Sequence, residues 1–87
     1  MKLKDKVAII TGSSRGIGAG IAIQLARLGA KVVINHRNSA EGAEETLQAI
    51  TSAGGEGMVI QADVSEGKDA QRLIKETVKA YGQLDIL

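Results

Sequence analysis

The sequence predicts an α/β fold, a doubly wound parallel sheet that breaks off after the start of its fourth strand, and three observations point there. Short apolar runs alternate with longer stretches of helical periodicity. The first apolar run passes directly into a glycine-rich turn. The apolar residues, 44% of the 87, are nearly all aliphatic, with Tyr81 the only aromatic, so the core is expected to consist of Ile, Val, Leu and Ala. Such side chains suit a parallel sheet covered by helices on both faces.

Val7, Ala8, Ile9 and Ile10 follow the charged lead Lys4-Asp5-Lys6 and form a buried strand. Thr11 to Gly18 carry three glycines and two serines. After them Ile17, Ile21, Leu25 and Leu28 recur at i, i+4, i+8 and i+11, the spacing of one helical face turned to the core, and Gly29 ends that helix. Val32, Val33 and Ile34 mark a second strand over Lys31 to Asn35. Asn38 or Ser39 offers the next N-cap, Glu41 can complete a capping box, and Ala43, Leu47 and Ile50 continue the helix to Gly54 and Gly55.

Met58 to Ala62 form a third apolar segment, and Ser65 is the expected cap of a helix whose inner face reads Ala70, Leu73, Ile74, Thr77, Val78 and Tyr81. Gly82 stops it, and Leu84 to Leu87 begin a fourth strand. The order β-α-β-α-β-α-β implies right-handed crossovers and a first strand lying between the second and the fourth. With the fourth strand so short, one side of Val7 to Ile10 is expected to expose unpaired backbone and apolar side chains.

Composition excludes several classes. Eleven Lys and Arg against ten Asp and Glu leave a formal charge of +1, no broad basic field, so neither nucleic acid nor a membrane surface is an expected partner. Without Cys there is no disulfide, thiolate nucleophile or Cys-based metal site. No apolar run approaches the roughly 18 residues of a membrane span, and a cytoplasmic protein is expected. Glu41, Glu44 and Glu45 read as the first turn and solvated face of a helix. His36, the single histidine, reads as a solvent-facing or wall residue without a catalytic role.

Thr11-Gly12-Ser13-Ser14-Arg15-Gly16-Ile17-Gly18 lies where a strand hands over to a helix, so unpaired N–H groups and the positive end of the helix dipole meet whatever occupies the turn. A pyrophosphate suits that place. Gly12 can take a backbone angle closed to other residues, Gly16 admits phosphates without a Cβ in the way, and Gly18 allows close packing of helix on strand. The whole is a Rossmann-type arrangement, with residues 1–87 as the N-terminal, dinucleotide-binding portion of one domain.

These residues resemble the short-chain dehydrogenase/reductase family along the whole chain. Thr11 to Gly18 match its T-G-x-x-x-G-x-G turn, Ala62-Asp63-Val64 its Asp-Val after the third strand, and Tyr81 to Leu87 the approach to its fourth. The sequence looks most similar to 3-oxoacyl-carrier-protein reductases and glucose 1-dehydrogenases. The resemblance implies that Asp63 holds the adenine amino group with help from the backbone of Val64, and that Ser13, Ser14, Arg15 and Ile17 belong with the three glycines to the cofactor turn.

NAD-binding units carry an acidic residue about 20 positions past the glycines. Asn35-His36-Arg37-Asn38 occupy that stretch here. Arg37, with Asn38 beside it, can meet the 2′-phosphate of NADP with a charge-assisted fork, and Arg15 approaches the same phosphate from the turn. NADP is therefore the expected cofactor, with NAD as the alternative.

Family catalysis implies a Ser, a Tyr with Lys four residues on, and an Asn-Asn-Ala-Gly segment, none of which is present. Tyr81 has Asp85 four residues later, a charge opposing a phenolate, and falls on an apolar helix face. The chain is expected to be the NADP(H)-binding portion of an oxidoreductase that moves hydride between nicotinamide and a carbonyl or alcohol. The small-molecule substrate, and a homo-oligomeric state, would belong to a longer parent. A free-standing nucleotide-binding module and a nonfunctional truncated remnant stand as alternatives.

Overall fold

A computed structural model describes residues 2–87, in the order β1 (Val7–Ile10), α1 (Gly16–Arg27), β2 (Lys31–His36), α2 (Ala40–Ser52), β3 (Glu56–Gln61) and α3 (Gly67–Tyr81). The strands are parallel in the order β1-β2-β3, with Ile10 opposite Ile34 and His36 opposite Gln61. After α3 the chain returns along the free side of β1, where Ile86 bridges Ala8 in parallel. There Asp85 and Ile86 donate their N–H groups to the Val7 carbonyl at 2.9 and 3.0 Å, and Ile9 donates to Ile86 at 2.9 Å. The first strand thus lies between the second and the fourth segment, as expected.

Successive strand residues face opposite sides of the sheet, which sorts the core into two layers. Val32 and Ile34 pack with Ala22, Ala26, Ala43 and Ile50 under α1 and α2. Val33 packs with Ile9, Ile60, Ala62 and Leu73 under α3. Helices on both faces of a parallel sheet make the doubly wound arrangement. The expected exposure of β1 side chains does not occur: Val7, Ala8 and Ile9 are at most 1% exposed, because the pleat aims them at the helical layers rather than along the sheet edge.

The core-facing stripe of α1 also differs from expectation. Ala22 and Ala26 are buried, while Ile17, Ile21 and Leu28 are 85%, 48% and 41% exposed. Small residues line the inner face because the helix sits close to its neighbours: a Cβ on Gly55 would lie 3.3 Å from that of Ala26. Gly18, Ala22 and Ala26 share the same i, i+4, i+8 spacing, but large side chains dominate any reading by hydrophobicity alone.

The caps differ as well. Ser39 is the α2 N-cap but makes no side-chain cap bond, and Glu41 falls at the second helical position, one short of a capping box. Glu66, not Ser65, caps α3. Ser65 instead donates from its N–H and hydroxyl to Asp63 Oδ1 at 3.0 and 2.6 Å, and Asp69 reaches back to accept the Asp63 N–H at 2.9 Å. On α3, Leu73 and Thr77 are buried but Ile74 and Val78 are about two-fifths exposed. Gly82, at φ +80°, ends the helix in the left-handed conformation that glycine favours. Among the described residues no helix is long and apolar enough to cross a membrane.

Candidate functional site

The carboxyl ends of β1, β2 and β3 bring the glycine turn, residues 35–38 and residues 62–65 to one edge of the sheet. In the turn Gly12 and Gly16 have φ of +62° and +64°, and nothing lies within 4 Å of where a Cβ would stand on either. Arg15, extended at φ −164°, is the α1 N-cap and offers no side-chain bond, and no acidic residue occupies the first turn. α2 and α3 do carry such acids, Glu41 and Asp69. The opening of α1 therefore presents N–H groups and a positive dipole end that no side chain among the described residues satisfies, beside open space. Gly18 packs on the turn itself rather than on the strand: a Cβ there would run into the Gly12 carbonyl oxygen and lie 3.0 Å from Ser13 Cα.

Ser13, expected in the cofactor turn, and two residues that the sequence reading passed over, Gly42 and Thr46, hold this turn in shape. Ser13 is fully buried, and its hydroxyl donates to the Ile10 carbonyl at 2.6 Å while accepting the Asn35 N–H at 3.1 Å. Its own N–H donates to the Asn35 carbonyl at 3.1 Å, so every polar group shown for Ser13, save its carbonyl, is spent inside the protein. Thr46 Oγ1, also buried, donates to the Ser14 carbonyl at 3.2 Å, and Gly42 lets α2 approach so closely that a Cβ would stand 2.7 Å from that oxygen. The signal was a polar residue among apolar ones, Asn35 after Val32, Val33 and Ile34 and Thr46 on the helix face of Ala43 and Ile50, where burial demands hydrogen-bond partners.

His36 is buried rather than solvent-facing. Its Nδ1 accepts the Ser39 N–H at 3.1 Å, which in a neutral ring leaves the proton on Nε2 and fastens the start of α2. Arg15 and Asn38 line one open depression of about 490 Å³ with Ser39, Glu41, Gly42 and Glu45. Arg37 does not join them. Its Nε lies 3.4 Å from Asp63 Oδ2 across the strand ends, so the two arginines do not converge on one point as expected; the nearby carboxylate draws Arg37 aside. Asp63 is held below its ordinary pKa by the Ser65 hydroxyl and then the Ser65 N–H; burial opposes them, and Arg37 adds the smallest lowering effect. Val64 and Ile17 stand exposed at the rim.

Tyr81 is half-buried against the α3-side core, with Lys31 Nζ 5.6 Å from its ring centre. Burial raises its pKa, and the charge of Glu56 adds to the rise. The opposing charge is thus Glu56 rather than the expected Asp85. Asp85 points at the sheet instead, accepting the Val7 N–H at 2.9 Å and Gln83 Nε2 at 2.6 Å. No group of three or more His, Asp or Glu suited to a metal occurs among the described residues.

Against known proteins, residues 6–87 match the short chain dehydrogenase family model. An uncharacterized oxidoreductase of Methylorubrum extorquens is 49% identical over 86 residues, covering 99% of this chain and 35% of that protein. A probable tetrahydroxynaphthalene reductase of Zymoseptoria tritici is 50% identical over 86 residues, covering 99% and 32%. Among solved structures, a metagenomic short-chain oxidoreductase in complex with NADP superposes with a TM-score of 0.94 at 37% identity, covering 100% of this chain and 39% of that one. The chain spans about a third of the length of the curated relatives it matches. With a glycine turn of this geometry on a parallel, doubly wound sheet and a family match along nearly its whole length, the chain belongs to the short-chain dehydrogenase/reductase family.

Proposed function

We propose that residues 1–87 form the N-terminal, dinucleotide-binding portion of a single Rossmann domain, and that they bind NADP(H), with NAD as the weaker alternative. The observation that carries this is the unsatisfied start of α1 beside two left-handed glycines with open space before them. Backbone donors at a helix start with no acid in its own first turn fit the chemistry of a pyrophosphate. In this assignment the backbone of Gly12, Ser14, Arg15, Gly16, Ile17 and Gly18 surrounds the phosphates, with Ser13 as the buried anchor of the turn. Asp63 and Val64 form the adenine wall.

Arg15 and Asn38, which line the same depression, take the 2′-phosphate, and Arg37 joins them by leaving Asp63. The Arg37 side chain is 68% exposed and holds Asp63 by a single contact at 3.4 Å, a weak, solvent-screened pair, so the exchange is cheap. That a structurally similar protein holds NADP supports the choice. When bound, the nicotinamide supplies hydride to a carbonyl or accepts it from an alcohol; this chain's residues bind and orient the dinucleotide. No Tyr-x-x-x-Lys pair is present among these 87 residues, so the proton-transfer groups of the reaction are assigned to a longer protein.

Calorimetric titration of the purified protein with NADPH and NADH tests the assignment. Saturable binding, tighter for NADPH, is the expected result. Failure of both nucleotides to bind would overturn it. NADPH oxidation above background by the 87-residue chain with ketones or aldehydes would mean that it carries a catalytic group not identified above.

A further inference from the structure

Asn35 ends the apolar run of β2, yet it is 2% exposed and its side chain is bonded at both ends. One end of its amide faces two carbonyl oxygens, Ile60 at 3.3 Å and Ala62 at 3.2 Å, which identifies that atom as the Nδ2 donor. The other end, Oδ1, accepts the Gly12 N–H at 3.4 Å. Its main chain pairs with Ser13 in both directions, at 3.1 Å each. A single residue on the middle strand therefore reaches both the glycine turn that follows β1 and the end of β3 that leads into Asp63.

The side-chain contacts, at 3.2 to 3.4 Å, are long for hydrogen bonds, so none contributes much energy alone. What they share is geometry: they set the separation between two loops that otherwise hang from different strands. We propose that Asn35 is a positioning residue, a strut that holds the glycine turn and the β3 end at the spacing a dinucleotide needs to touch both at once. The proposal rests on the cofactor reading above. A preset spacing spares the ligand the cost of ordering the two loops on binding. Loss of the strut should therefore penalise a ligand that spans both subsites more than one that occupies a single subsite.

The test compares wild type with Asn35→Ala and Asn35→Asp in the purified protein, titrated with NADPH and separately with adenosine, which lacks both the pyrophosphate and the 2′-phosphate and so reaches only the β3 end. Asn35→Asp keeps an acceptor for Gly12 but turns an oxygen toward the two carbonyls, so it breaks only the β3 half of the strut. Both variants should bind NADPH about tenfold or more weakly and adenosine within about twofold of wild type. In nucleotide-free Asn35→Ala, the Gly12 amide should exchange its hydrogen faster than in wild type, a readout that needs no ligand. Equal weakening toward both ligands, or an unchanged Gly12 exchange rate, overturns the strut. NADPH affinity within about twofold of wild type also overturns it while leaving the cofactor reading intact, whereas wild-type protein that binds no NADPH removes both. Circular dichroism identifies a variant that fails to fold, and the other variant then carries the comparison.

Discussion

Replacing Arg37 by aspartate should erase or reverse a preference for NADPH over NADH, and the structure sets the size of the change. A charge-assisted bond from Arg37 to a 2′-phosphate contributes about 2 kcal/mol. Arg37 first has to leave Asp63, to which it is joined by one contact at 3.4 Å, and that offsets a small part of the gain. The net is roughly tenfold in the ratio of dissociation constants. Arg37→Asp removes this gain and sets a second carboxylate near Asp63, which repels the phosphate further and offers NADH ribose hydroxyls an acceptor. Calorimetric titrations with both nucleotides at fixed ionic strength measure the ratio directly. An NADPH to NADH ratio unchanged in Arg37→Asp would refute the assignment and leave Arg15 and Asn38 as the discriminating pair.

Gly16→Val should abolish nucleotide binding with secondary structure preserved, since φ is +64° there and a branched Cβ would fill the open space before the α1 amides; retained affinity in a nucleotide titration would place the phosphates elsewhere. Asp85 is held below its ordinary pKa chiefly by the Val7 N–H and then by Gln83, so it stabilises the fold above about pH 4 and loses that effect as pH falls through its lowered folded value. Denaturant unfolding at pH 7 and pH 3 should accordingly show a smaller acid loss in Asp85→Asn, and identical losses would contradict the contact. Ala22→Leu should destabilise by about 1–3 kcal/mol because the site is fully buried, whereas Ile21→Gln, at a position 48% exposed, should stay within about 0.5 kcal/mol; the reverse order in thermal or urea unfolding would mean that the helix presents its other face to the sheet.

The strand and helix order, the parallel sheet and the positions of the turn glycines were legible in the 87 residues alone, because each depends on local chemistry. Val7–Ile10 and the triplet Val32, Val33 and Ile34 are apolar runs that suit a doubly covered strand. Gly12, Gly16 and Gly82 stand where positive φ is needed, and all three adopt it. What the α1 helix turns inward was not legible, since large apolar residues outweigh alanine on any hydrophobicity scale while close packing selects Gly18, Ala22 and Ala26. Only the tertiary structure decided the partners of the polar groups. Arg37 lies against Asp63, His36 fastens the start of α2, Ser65 serves Asp63 instead of α3, and Asn35 joins two loops more than 20 residues apart in sequence on either side. The physical reason is range: backbone preference and apolar periodicity act over a few residues, whereas a buried polar atom takes whichever partner the folded chain brings within about 3 Å.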